Sequence, residues 1–457
     1  MSATSVSQSP PTTTLAEWVA TIRYGDLPVE VRQRTKDIFF DALANAYAGH
    51  GTTEIPLIES LASRVAGAGD STVIGSDERR APAGAVMING YLITAVTGCD
   101  VHRPTTCHVT PEVVPPALAV GEELDIDGET FLVALAAGAE VTTRVGNGLF
   151  DTKGVFAERG WHTPGIIGPF GGAAAAGRIL GLDALAQRHA FGLAGSQAAG
   201  TYAQFGTPAI KFNQSRGALS GLLAATLAAE GFAAATEILA DPFGGLYAAY
   251  AGGGRPEATL DGLGTDWELM EISLRAWPCG VRLQSLVTGV LDVLSMADVP
   301  ADEIANVTLG LPAMAYERNG EMPWDERFRA RLSAPYVTGV VAMDGACRLD
   351  QFSDERIADP ETNAFINDRI VIEPDPALAV GVSVSLTTRA GVRHATHASV
   401  AKGDPEKPLA WADIEAKFRA SAEPIIGAEQ ANRLVACVSG LESVPRLSEL
   451  TRLLRPA

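Results

Sequence analysis

No apolar run in this chain of 457 residues reaches the ~18–20 residues that a membrane-spanning helix requires. Cysteine is scarce. Cys99, Cys107, Cys279, Cys347 and Cys437 are odd in number and scattered, so a disulfide framework is not expected and a reducing cytoplasm is. Positive charge is in deficit: 35 Lys and Arg face 54 Asp and Glu, a formal net charge of −19. That balance argues against nucleic acid and anionic membrane as partners. It leaves room for a small anionic substrate, provided an acidic protein builds a local basic pocket. The opening MSATSVSQSPPTTT has neither a basic n-region nor an apolar core. Residues 1–13 are therefore expected to form a disordered polar leader and not a signal peptide. Nucleotide and nucleophile motifs are missing too. Gly-Pro-Phe-Gly-Gly at 168–172 is not G-x-G-x-x-G after a strand, and neither a P-loop Gly-Lys-Ser/Thr nor a G-x-S-x-G elbow occurs.

What is present is ample apolar material. Hydrophobic residues make up 47% and charged residues 19%, a globular composition long enough for two or three units. In PVEVRQRTKDIFFDALANAYAGHG, Val31, Ile38, Phe39, Leu43 and Ala46 keep a 3.6-residue period, with Pro28 before and Gly51 after. From there to about residue 250 the chain is rich in Ala, Leu and Gly, and its segments read as closely packing helices. Residues 14–265 are expected to form one helical domain. Beyond them ANVTLGLP, RIVIEP and VGVSVSLTTRAGVRHATHASVA read as strands, the last as two strands around an Ala-Gly turn. ARLSAPYVTGVVAMDGA reads as a helix. Residues 266–405 are therefore expected to be α+β. In residues 406–457, helices at Trp411–Phe418, Glu429–Val438 and Ser448–Leu454 would return to the first domain.

One stretch concentrates chemistry. CDVHRPTTCHVT, residues 99–110, holds two Cys, two His and an Asp in a chain with five Cys and seven His. Structural zinc wants Cys-x2-4-Cys and His-x3-5-His pairs. Here seven residues separate Cys99 from Cys107, and Cys107 adjoins His108, so the spacing argues against a metal. Two readings stay open. One is an ordinary capped loop with surface histidines. The other is an acid/base loop feeding a helix that starts near Pro111 with Thr110 as N-cap, where free N–H groups favour anions. Asp100, His102, Arg103, Thr105, Thr106 and His108 would then face a carboxylate. Similar pieces recur. RGWHTPGIIGPFGG sets His162 at a Gly-rich helix start, KFNQSRG carries Lys211, Gln214 and Arg216, LRAWPCGVRLQS carries Arg275, Cys279 and Arg282, and AMAYERNG carries Tyr316 and Arg318. Each has a plainer reading as a structural histidine or a solvated side chain.

In this order the segments resemble the MmgE/PrpD family, which includes 2-methylcitrate dehydratase, cis-aconitate decarboxylase and iminodisuccinate epimerase. The resemblance runs from DIFFDALANAYAG to KPLAWADIEAKF. RGWHTPGIIGPFGGAAAAGRILGL, the Lys211 segment and PYVTGVVAMDGACRLDQFSDERIADP carry most of it. It implies a mainly α fold: a large all-helical domain, built from the N-terminal half and the C-terminal tail, with an inserted smaller α+β lid. It also implies a homodimer without metal or organic cofactor. Asp100 and His108 match the family loop D-F-D-D-T…H-P, although the spacing is shorter here. His162 matches the histidine of R-G-x-H, and Lys211 the lysine of K-P-L-H-x-G. Gln214 stands in that motif's histidine place, and Gly280 and Gln284 replace histidines of the following segment. Tyr316 matches a tyrosine near the start of the lid.

The chemistry implied by the resemblance builds negative charge beside a carboxylate, which a site must hold while it moves protons. Lys211 is expected to hold the charge. His108 and His162 are expected to move protons, with Asp100 orienting His108 or acting as base and Tyr316 as a second acid. Arg103, Thr105, Gln214, Arg216, Arg282 and Arg318 are weaker expectations for carboxylate binding. The leading expectation is a cofactor-independent dehydratase acting on a 2-methylcitrate-like di- or tricarboxylate. Decarboxylation of a cis-aconitate-like acid or epimerisation of an iminodisuccinate-like acid follows closely. A non-catalytic carboxylate-binding homologue is the alternative of another class.

Overall fold

The computed structural model describes residues 10–150 and 158–456. The expected leader falls partly outside them, at residues 1–9. Pro11–Thr13 form the first turn of a helix, Pro11–Thr21, because Pro11 suits a helix start and Leu15, Ala16 and Val19 behind it are buried. Long helices follow at Val29–Gly49, Pro82–Ala95, Thr110–Leu124, Gly128–Leu149, Thr163–Ile179 and Ala209–Ala229. Small residues let three of these touch backbone to backbone. A Cβ added at Gly221 would lie 2.7 Å from the Gly172 Cα, and one at Gly171 would lie 2.7 Å from the Gly138 carbonyl oxygen. The Ala/Gly richness of this half is therefore a packing requirement.

The tail closes this body. Phe40 stacks on Trp411 at 4.7 Å and meets Phe418 at 4.8 Å, while the Tyr47 hydroxyl donates to the Leu454 carbonyl at 2.9 Å. The two helices expected at 411–418 and 429–438 lie within Trp411–Ser439 on either side of a break at Gly427 (φ 75°, ψ 158°), just past Pro424. Lys417 on that helix reaches inward. Its ammonium pairs with Asp41 at 2.7 Å and donates to the carbonyls of Gly98 and Arg275 at 2.8 and 3.1 Å.

A separate apolar core lies within residues 279–398. Its four-stranded sheet runs in the order Ile370–Pro374, Ile304–Leu311, Val382–Thr388, Arg393–Ala398. The first pair is parallel and the others antiparallel. Val382, Val384 and Leu386 alternate inward, as their period-2 pattern requires, toward the Gln284–Ala297 helix. The two parts are stitched by a short antiparallel pair absent from the sequence reading, Val101–His102 with Ile272–Ser273. Among the described residues no helix is long and apolar enough to cross a membrane.

Gly171→Ala forces a methyl into the contact with Thr142 and Gly138 and is expected to cost about 1–3 kcal/mol. Gly25→Ala, with nothing within 4 Å of the added methyl, is the control and is expected to stay within about 0.5 kcal/mol. Chemical denaturation midpoints measure both.

Candidate active site

The 99–110 loop is organised by Asp100. Its fully buried carboxylate accepts from the Val109 N–H at 2.8 Å, the Thr110 N–H at 3.1 Å and the Thr110 hydroxyl. These are the first free donors of the Thr110–Leu124 helix, so Asp100 caps it from across the loop. Thr110 is the first helical residue, not the expected N-cap, because its hydroxyl is turned to Asp100. Burial pushes the Asp100 carboxyl up to about 6, helped by Cys99 and opposed by the Thr110 and Val109 bonds. Its backbone carbonyl accepts from His108 Nδ1 at 2.7 Å. That bond fixes the proton on Nδ1 and leaves the His108 Nε2 lone pair free.

His162 is set the other way. It precedes the Thr163–Ile179 helix, with its N–H bonded to the Gly200 carbonyl at 3.1 Å. Asn213 Nδ2 donates to His162 Nδ1 at 3.3 Å, so the ring proton sits on Nε2. One imidazole thus offers an acceptor and the other a donor. Burial is the main force pushing both down to about 3; Arg275 and Lys211 add to it at His108, and His108 and Lys211 at His162. Both rings are neutral near pH 7.

Lys211 lies in the first turn of the Ala209–Ala229 helix, and Gln214 follows one turn later on the same face. The Lys211 side chain is 5% exposed, and its ammonium pairs with no carboxylate among the described residues. Its nearest recorded partner is the Phe328 ring, 5.9 Å to the centroid. Burial pushes it down to about 7; Arg275 and Arg331 add to that, while Cys99 and Glu112 oppose it. The Gln214 Oε1 is buried and without a partner.

His108, His162, Lys211, Gln214 and Arg282 line one cavity of about 80 Å³. All five were among the residues expected at the site from the sequence. Other expected residues stand elsewhere. Asp100 lies behind His108, fully buried. The Thr105 hydroxyl is spent on His102 Nδ1 at 2.8 Å. Arg103 pairs with Asp404 at 3.4 Å and Glu406 at 2.8 Å. Arg216 donates to the carbonyls of Gln197, Gly165 and Ala199 at 2.7, 3.0 and 2.6 Å, bracing the loop beside His162. The Tyr316 hydroxyl faces out and donates to Glu321 at 2.9 Å, whereas Asn319, one turn on, lines the cavity. Arg318 is paired with Glu317 at 3.6 Å and stands 5.5 Å over the Tyr202 ring. Gly280 lines the cavity, while Gln284 holds the loop before it through the Trp277 and Cys279 carbonyls at 3.0 and 3.1 Å.

Among the polar lining residues Thr97, Thr163, Tyr202 and Asn319 were not singled out from the sequence, whereas Arg275 was, in LRAWPCGVRLQS. Arg275 is buried and clamps the Cys99 carbonyl, the Cys99 sulfur at 3.1 Å and the Cys279 carbonyl at 3.3 Å. It joins the 99–110 loop to the segment entering the lid. Thr97 holds φ 60°, a left-handed conformation costing a β-branched residue about 1–2 kcal/mol, and its buried hydroxyl has no partner. Among the described residues no three His, Cys, Asp or Glu side chains converge as a metal would require. The Cys107 sulfur is turned to the His108 carbonyl at 3.2 Å.

Glu112, next to this loop, is fully buried with both carboxyl oxygens unpartnered. Burial pushes its pKa well above the ordinary 4.5, with Asp100 and Cys99 adding to the rise. A raised carboxyl stabilises the fold fully below its unfolded pKa and loses that contribution as pH rises through the folded value. Glu112→Gln is permanently neutral and escapes that loss. The Tm of this variant minus that of the wild type is expected to grow from pH 4.5 to pH 8, measured by differential scanning calorimetry; a flat difference would mean that Glu112 is ionised in the fold.

The sequence has relatives among known proteins. The chain is 28% identical to the cis-aconitate decarboxylase of Homo sapiens, over 95% of this chain and 92% of that protein. It is 26% identical to a cis-aconitate decarboxylase-like protein, oryM, of Aspergillus oryzae over 97% of each. It is 27% identical to the cis-aconitate decarboxylase of Aspergillus terreus over 79% of this chain and 78% of that one. Residues 13–259 match the MmgE/PrpD N-terminal domain and residues 277–443 the MmgE/PrpD C-terminal domain. With both halves matched, the chain belongs to the MmgE/PrpD family.

Proposed function

We propose that this chain is a lyase for a small unsaturated di- or tricarboxylate, removing CO2 from an acid of the cis-aconitate type. The observation that carries the reading is Lys211: a buried ammonium with no counter-ion among the described residues, facing a cavity with two neutral imidazoles. Leaving such a charge unpaired is costly, and a substrate carboxylate removes the cost. The relatives' printed activity supports the choice of acid.

In such an acid a carboxymethyl carbon adjoins a double bond conjugated to a second carboxylate. The bond to the departing carboxylate breaks and CO2 leaves. The electron pair spreads over three carbons into the remaining carboxylate as an enediolate. A proton joins the far carbon and the double bond shifts. Lys211 faces the carboxylate on which charge grows, and Arg282 is placed for another. The incoming anion raises the proton affinity of both imidazoles. His108, with Nε2 open, takes up the proton and returns it to carbon, while His162 donates its Nε2–H to a carboxylate oxygen.

A second reading has its own support. A free imidazole lone pair in the empty site is what abstraction of a proton beside a carboxylate needs. That makes water elimination from a 2-methylcitrate-like acid the alternative use of the same groups. Proton NMR in D2O with chelator-treated protein separates the two. cis-Aconitate should yield CO2 and one solvent deuteron at carbon, and 2-methylcitrate should be untouched. A new vinyl signal from 2-methylcitrate without CO2 would reverse the assignment.

Lys211→Met is expected to lower kcat/KM by about a thousandfold. The pH profile follows from the free site. The cationic Lys211 that attracts substrate exists below about pH 7, so kcat/KM should fall about tenfold per pH unit above it. His108 is neutral in the free site above about pH 3 and must gain a proton for the step, so this fall adds to a shallower one already present below pH 7. Undiminished turnover in Lys211→Met would refute the assignment.

A further inference from the structure

A second cleft adjoins the inner cavity and shares Arg275, Val281 and Arg282 with it. The outer cleft has about 360 Å³ against about 80 Å³ inside, within the ~300–1,000 Å³ range of small-molecule sites. It opens where the helical body meets the lid, beside Ser285 and the turns at Val380 and Ser399. Its charged lining is Arg103, Arg275, Arg282 and Lys402 against Asp404 alone, in a chain of net charge −19.

Three of these cations are already held. Arg103 pairs with Asp404 and Glu406, Lys402 pairs with Asp413 at 2.7 Å, and Arg275 is clamped on Cys99 and Cys279. Arg282 is different. Its Nη1 donates to the Tyr202 hydroxyl at 3.3 Å on the inner side, and its Nη2 touches the Met314 sulfur at 3.7 Å on the outer side. It forms no ion pair with a described residue. A permanent guanidinium charge with two weak neutral partners sits on the wall between the two spaces.

We propose that the outer cleft is a staging site for the carboxylate substrate. One carboxylate is captured there against Arg282 and is then passed inward to Lys211. The proposal rests on the carboxylate-lyase reading and adds where the acid first binds. In an acidic protein most of the surface repels such an acid, and a local basic cleft focuses it toward one entrance. The signature is kinetic: charge in the cleft should govern association and its salt dependence, and chemistry should not depend on it.

Ser285 lines the outer cleft and not the inner cavity. It lies in the first turn of the Gln284–Ala297 helix, where a carboxylate is tolerated. Ser285→Glu adds a repelling charge to the cleft, and Ser285→Gln adds the same bulk without it. The probe is tricarballylate, a saturated tricarboxylate without the double bond that decarboxylation needs. Its association with the full chain is followed by stopped-flow tryptophan fluorescence at low and high salt, with cis-aconitate turnover in parallel. Ser285→Glu is expected to slow association about tenfold at low salt, less at high salt, with kcat unchanged and Ser285→Gln within about twofold of wild type. If Ser285→Glu does not fold, Val380→Glu at a 65% exposed position on the same cleft carries the same test. Equal association rates in wild type and the Glu variant, with wild-type turnover intact, overturn the staging site alone. Wild type that neither binds tricarballylate nor turns over cis-aconitate overturns the lyase reading, and the staging site with it.

Discussion

A buried ammonium without a counter-ion is the constraint around which the rest of this molecule is arranged. Lys211 cannot reach solvent, and among the described residues no carboxylate pairs with it. The fold has to offset that cost elsewhere, and it does so with density. The Ala209–Ala229 helix that carries Lys211 touches the Thr163–Ile179 helix at Gly221 and Gly172, and the methyl groups missing there allow the contact. A looser body would let the lysine swing outward along its four-carbon stem. Close packing keeps the charge pointed at an 80 Å³ space that an anion can fill.

The same constraint explains the neutral imidazoles. Two histidines beside a cation, cut off from water, stay neutral, and their hydrogen-bond partners then decide where the remaining proton sits. The Asp100 carbonyl takes the His108 Nδ1 proton, and Asn213 gives one to His162 Nδ1. One acceptor and one donor result from two identical side chains. Asp100 serves this through its main chain, while its carboxylate closes the loop by capping the next helix. A residue expected to act on substrate acts on the frame instead.

Much of this was legible in the sequence, and the boundary is physical. His162, Lys211 and Gln214 sit in helix starts whose neighbours in sequence are their neighbours in space, so short motifs located them. The alternation in VSVSLTT gave a strand with the correct inward face. Arg103 and Arg216 stand outside the cavity because their partners are remote or are backbone, and Tyr316 because its hydroxyl is turned out to Glu321. Glu406 lies three hundred residues from Arg103, and the carbonyls that hold Arg216 leave no mark in a sequence. Tyr202 and Asn319 were missed as site residues for the converse reason: each is ordinary in its own segment and enters the site only when helical body and lid meet. Gly427, with a φ of 75°, breaks the tail between the two helices that the sequence pattern separates there.

Chemistry and access consequently fall on different parts of the molecule. His108, His162 and Lys211 belong to the helical body, where backbone bonds and close packing fix them. Gly280, Arg282 and Asn319 come from the lid side of the cavity. Arg275 joins the two by holding carbonyls of Cys99 and Cys279 at once, and Lys417 steadies it from the tail through the Arg275 carbonyl. Proton-moving groups on the rigid side can stay unchanged while lid residues alter what fits. The replacements at Gly280 and Gln284 lie on the lid side, and Gln214 lies beside Lys211. In this arrangement Gly280 forms part of the cavity wall, Gln284 acts through the loop that it holds, and the His108, His162 and Lys211 set stays intact. The cavity thus takes its two histidines and its lysine from the helical body and part of its wall from the inserted domain.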